Sequence, residues 1–153
     1  MIDLTATEIV IETLITELDL KAKIITHPGT LDDNVVNPRM ITNLILSFKS
    51  IDYEAKRINP KTRCFSRLNT VNFNITINNN NLREHRVVYD LAQQIIVKLR
   101  GEIVARDLNG LAVSTASPIY ISSFTYLPYD NDKACNKAEI VLSFDYVESY
   151  TVS

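Results

Sequence analysis

Residues 84–100 read EHRVVYDLAQQIIVKLR, Glu84 to Arg100, and the rest of the chain is arranged around them. Val87, Val88, Leu91, Ala92, Ile95, Ile96 and Leu99 recur at helical spacing, an apolar stripe about 100° wide or more. Asn81 stands where an N-cap would face Glu84 as its capping-box partner, and Lys98 and Arg100 stand where a helix C-terminus favours cations. Gly101 then supplies a residue that can turn left-handed and stop the helix. A stripe this wide must be buried against a flat apolar surface, so the flanking segments are expected to form a sheet.

They read that way. Just before the helix, Val71 to Asn78 (VNFNITIN) alternates Val71, Phe73, Ile75 and Ile77 with asparagines and Thr76, the period of a half-buried strand. The asparagine run 78–81 is expected to be a loop, since asparagine tolerates left-handed backbone best after glycine and the chain has only three glycines. After the helix, Glu102 to Arg106 reads as a short strand and Asn109-Gly110 as a hairpin turn. Ile119 to Leu127 and Ala138 to Tyr150 then read as an antiparallel pair across a polar loop. Upstream, Thr5 to Leu18 predicts an amphipathic helix capped by Asp3 or Thr5, with Ala6, Ile9, Val10, Thr13, Leu14 and Leu18 on one face. Lys23 to Thr26 is a short strand closed by His27-Pro28-Gly29, and Met40 to Tyr53 a longer one in which Ile45 breaks the alternation. This order predicts an α+β fold: a small antiparallel or mixed sheet of about four to five strands with two main helices packed on it, in a single domain spanning residues 1–153.

Composition excludes several classes. The 153 residues carry a net charge of −2, which gives no global attraction to nucleic acid or anionic membrane. No apolar run reaches 18 residues, and the start lacks a signal-peptide pattern, so the expected location at synthesis is the cytoplasm. Cys64 and Cys135 have no partner motif and are expected as thiols. His27 and His85 lack metal-spaced neighbours, and Asp130-Asn131-Asp132 opens like a calcium loop but continues to Ala134 with no glycine, so no metal and no cofactor is expected. Neither a nucleophile elbow nor a glycine-rich phosphate loop occurs. No nucleophile, base and orienter come together, so no enzymatic activity is expected.

One asymmetry remains. The segment 54–68 carries Lys56, Arg57, Lys61, Arg63 and Arg67 against Glu54, and reads as a basic loop without secondary structure of its own. A solvated surface loop is the plain alternative to contact with an acidic partner. Arginines and lysines with no interleaved aromatics beyond Phe65 argue against nucleic acid.

The order of elements resembles the Mu-like phage and prophage tail-terminator family. The resemblance rests on the opening helix with its strand and His-Pro-Gly loop, and on Pro38 followed by a strand ending in Asp52-Tyr53-Glu54. It continues through the strand Val71 to Asn78, Arg83, Tyr89-Asp90-Leu91 and Leu99-Arg100-Gly101, to the final strand pair with Phe144-Asp145-Tyr146. It implies a ring of this chain, commonly six copies, that ends the tail tube and meets the head connector. The implied partners are further copies, the tube protein, and sheath or connector proteins; the implied location is the host cytoplasm during assembly and then the virion. Another neck or baseplate component of a phage-like particle, or a nucleic-acid module using the basic loop, are the alternative readings. On the ring reading, Arg57, Lys61, Arg63, Asp130 and Asp132 are candidate partner contacts. Tyr120, Phe124 and Tyr126, read as one face of their strand, are candidates for a subunit interface, where aromatics are favoured.

Overall fold

The computed structural model describes residues 2–18, 23–25, 42–54, 57–59, 61, 64–79, 85–127 and 136–151. Among these described residues, two helices and six strands follow in the order α1 (Leu4–Thr16), β1 (Lys23–Ile25), β2 (Thr42–Tyr53), β3 (Arg57–Asn59), β4 (Cys64–Asn79), α2 (His85–Leu99), β5 (Tyr120–Leu127) and β6 (Asn136–Thr151). All six strands join one sheet, in the order β1-β2-β4-β6-β5, with β3 also on β4. Only β1–β2 is parallel; the other pairs are antiparallel. The fold is therefore α+β with a mixed sheet, as expected, with one strand more than expected.

The additional strand corrects the reading of 54–68 as structureless. β3 pairs with residues 64–66 on the flank of β4 that β2 occupies further along, so β2 and β3 follow one line interrupted at 54–56. β4 starts seven residues before the predicted strand because its polar N-terminal half is paired throughout with β6. Its C-terminal end includes Asn78 and Asn79, expected in a loop; here they are held in the ladder opposite Lys137 and Asn136.

α2 buries Val88, Leu91, Ala92, Ile95 and Leu99 and turns Val87 toward solvent. It packs on β4, β6 and α1, while α1 lies over β2. The core beneath is Leu44 and Leu46 from β2, Val71, Phe73, Ile75 and Ile77 from β4, and Ala138, Ile140, Leu142 and Phe144 from β6. α1 is capped by Asp3, whose carboxylate accepts from the Ala6 amide at 3.1 Å. Its inner face is Thr7, Ile11 and Ile15, whereas Ile9 points outward, which corrects the predicted face. A threonine can sit there because its hydroxyl donates to the Asp3 carbonyl at 2.8 Å and accepts from the Arg106 amide at 3.2 Å.

Gly101 ends α2 at φ +88°, as predicted. No strand forms at 102–106; the segment makes one bridge, Arg106 to Ala112, around a turn in which Gly110 adopts φ +78°. The Asp107 carboxylate fixes that turn by accepting from the amides of Asn109 and Leu111. Val104, Ala105 and Ile119 from this crossover enter the core.

The packing predicts unequal costs along one helix. Ile95→Ala and Leu99→Ala should each lower stability by about 2–5 kcal/mol, whereas Val97→Ala, 66% exposed on the same helix, should change it by less than about 0.5 kcal/mol. Urea unfolding of the three variants measures this.

Candidate interaction face

The sheet has one face under the helices and one that no described helix covers. Register assigns Asn43, Ile45, Ser47, Ser50 and Asp52 of β2 to the second face, opposite Asn78, Thr76, Asn74, Asn72 and Thr70 of β4. β6 adds Lys137, Glu139, Val141, Ser143 and Asp145. Amides, hydroxyls and carboxylates dominate. The strict alternation of VNFNITIN thus has two products, a dry core face and a polar outer face, from one strand.

The outer side chains are cross-linked over four strands. Asn72 Nδ2 donates to Asp52 Oδ2 at 2.9 Å and to Ser50 Oγ at 3.1 Å. Its Oδ1 accepts from Ser143 Oγ, which is fully buried and also meets Ser122 Oγ. A hydroxyl has one proton, so Ser122 donates to Ser143 and Ser143 to Asn72. Beside this row, the Asp145 carboxylate accepts from Thr70 Oγ1 at 2.7 Å and from the Tyr120 hydroxyl at 2.9 Å. Burial pushes the Tyr120 phenol above its ordinary range, reinforced by the bond to Asp145 and its charge. The Asn43 amide, 1% exposed, has neither its nitrogen nor its oxygen hydrogen-bonded.

A bulge in β5 decides where its aromatic residues go. Tyr120 pairs with Ser143 and Ile121 with Leu142, but Ser123 already pairs with Val141, so Ser122 is the extra residue. From there the alternation is inverted. Phe124 and Tyr126 stand opposite Ile140 and Ala138 on the helix side, and Tyr120 stays on the outer face. The three aromatics therefore do not share a face, contrary to the sequence reading. Tyr126 packs edge-on against Tyr89 of α2, ring centroids 4.8 Å apart, and donates to Asn136 Oδ1 at 3.0 Å. Tyr89 in turn meets His85, which places that histidine in an aromatic cluster at the start of α2.

The basic segment divides. Arg67, on the helix side of β4, donates from Nε to Glu148 at 2.7 Å and stacks over the Tyr53 ring at 4.4 Å. The Asn69 amide donates to the same Glu148 oxygen at 2.8 Å. Arg57 lies in β3 and Lys61 in an exposed turn, whereas Arg63, Asp130 and Asp132 fall outside the described residues, as does the loop 128–135. Among the described residues no group of three or more His, Cys, Asp or Glu is placed to hold a metal ion, and no helix is long and apolar enough to cross a membrane. One open groove at the helices, of about 650 Å³, is lined by Leu18, Asp90, Gln93, Gln94, Val97 and Lys98.

Among solved structures, a chain of the virion of a native gene transfer agent particle has the same fold. The TM-score is 0.57 at 8% sequence identity, over 94% of this chain and 96% of that one. The likeness is one of fold. No protein-family model and no curated protein sequence matches the chain.

Two outcomes follow. Ser143→Ala leaves Asn72 Oδ1 without its donor in a buried row and should cost about 1–3 kcal/mol in denaturant unfolding. The Arg67 bond, then the Asn69 bond, hold the Glu148 carboxyl below the usual carboxylate range. A depressed folded value stabilises above the unfolded carboxylate pKa of about 4.3 and is lost as pH falls through the lower folded value. Stability measured from about pH 5 downward should therefore fall more steeply in the native chain than in Glu148→Gln.

Proposed function

We propose that this chain is a non-enzymatic structural component of a phage-like particle, and that it forms a ring on the end of the tail tube, where it stops tube growth and meets the head connector. The observation that carries the reading is the shared fold with a chain of a gene transfer agent virion, over nearly the full length of both chains. The order of elements that resembles the tail-terminator family supports the finer role. So does the form of the molecule: the cross-strand bonds of Asn72, Ser143 and Asp145 brace the sheet into a rigid body, as docking between particle components requires.

A terminator needs two contacts, one between copies and one to the last ring of the tube. Lys61 and the neighbouring basic residues are candidate tube or connector contacts on this reading. The nucleic-acid alternative loses ground because Arg67, one of its cations, is committed to Glu148 and Tyr53. A neck or baseplate role in the same particle is the second reading, favoured by the same shared fold.

Deleting the gene from the producing cell separates the two. Loss of a terminator yields tubes of uncontrolled, excessive length without heads, and purified protein added to growing tubes stops them. Loss of a baseplate component leaves no tubes at all, and that result would contradict the terminator role. Electron microscopy of lysates reads both.

A further inference from the structure

Among the described residues, the sheet has two edges with no strand against them. On one side β5 pairs with β6 and, among the described residues, with no other strand. On the other, β1 covers only residues 43–45 of β2, so the outer edge of residues 46–53 has no described strand against it. These edges are the same length, at opposite ends of one sheet. Natural sheets block such edges with charges, prolines or very short strands. β5, YISSFTYL, has no charge and no proline, and it exposes Tyr120, Phe124 and Leu127 by 40%, 41% and 42%. Residues 46–53 expose Phe48 and Tyr53; of their two charges, Lys49 sits at a bulge where the ladder is already interrupted, and Asp52 is held by Asn72 within the sheet.

We propose that the β5 edge of one copy pairs with the 46–53 edge of β2 in the next, so that the sheet continues from subunit to subunit. The partner is a second copy because each chain carries both halves of the joint, an uncharged edge and an equally long acceptor edge facing the opposite way. An interface of two different patches is heterologous, and repeating it gives a closed ring when the rotation per subunit closes. Bulges in both edge strands bend and twist the sheet, which is the device that closes sheets into barrels. Main-chain hydrogen bonds supply the joint, and Phe124, Leu127, Phe48 and Tyr53 lose exposure across it. This inference rests on the ring reading and specifies how the ring is joined.

Two edge variants test it. Thr125→Lys with Leu127→Lys places charges on exposed β5 positions, and Phe48→Lys does the same for β2. Light scattering of the native chain should give a ring mass, and each variant alone should give the monomer mass. An equimolar mixture should give twice the monomer mass, because each variant retains the edge that the other has lost. Formation of that heterodimer also shows that both variants are folded. Two results would overturn the joint while leaving the ring reading intact: rings of either variant alone, or a dimer of the β2 variant by itself through β5. A native chain that stays monomeric at all concentrations and on tube ends would remove both.

Discussion

The pairing of β4 with β6 is the constraint on which the rest depends. It runs without a shift through sixteen residues of each strand, from Cys64 opposite Thr151 to Asn79 opposite Asn136. Because side chains alternate strictly, one register fixes which residues of both strands lie under the helices and which on the polar face. A slip of β4 by one position would send Phe73 and Ile75 to the polar face and bring Asn72 and Asn74 under the helices. The buried serine and asparagine row penalises that slip from the other side, since its hydrogen bonds exist only in this alignment.

Length then divides the sheet. Sixteen strand residues span roughly 53 Å, whereas the fifteen of α2 span roughly 22 Å, so the helix covers less than half of what it packs against. Under the helix the core face is aliphatic and aromatic. Beyond it the same face changes to Tyr53, Arg67, Asn69 and Glu148, which meet one another by hydrogen bonds and stacking. The sheet thereby continues past the helix, and Leu68 and Val147 stand opposite each other, exposed, on its outer face.

Much of this was legible in the sequence where one period dominates. The α2 stripe, the VNFNITIN alternation, the closing strand pair and the glycine stop at Gly101 all appear where predicted. Most of what failed traces to hydrogen-bonding partners far along the chain that overrode local pattern, and one part to a bulge. The polar residues 64–70 are strand because β6 pairs with them, not because of their own propensity. Thr7 faces inward because Asp3 and Arg106 satisfy its hydroxyl. The face of Phe124 and Tyr126 turned on a bulge at Ser122, for which a serine pair in an aromatic strand gives no signal. The polar outer face was present as alternating asparagines, but its cross-strand partners Asp52, Ser143 and Asp145 come from segments read separately.

The central proposal is that this fold, with its apolar and polar faces, serves as a subunit of a ring built from identical copies in a phage-like particle. The most direct measurement is negative-stain imaging of the purified chain, alone and with cognate tail tubes. The account predicts closed rings of about six subunits, and the same rings seated on tube ends. Monomers that neither close into rings nor bind tube ends would contradict it.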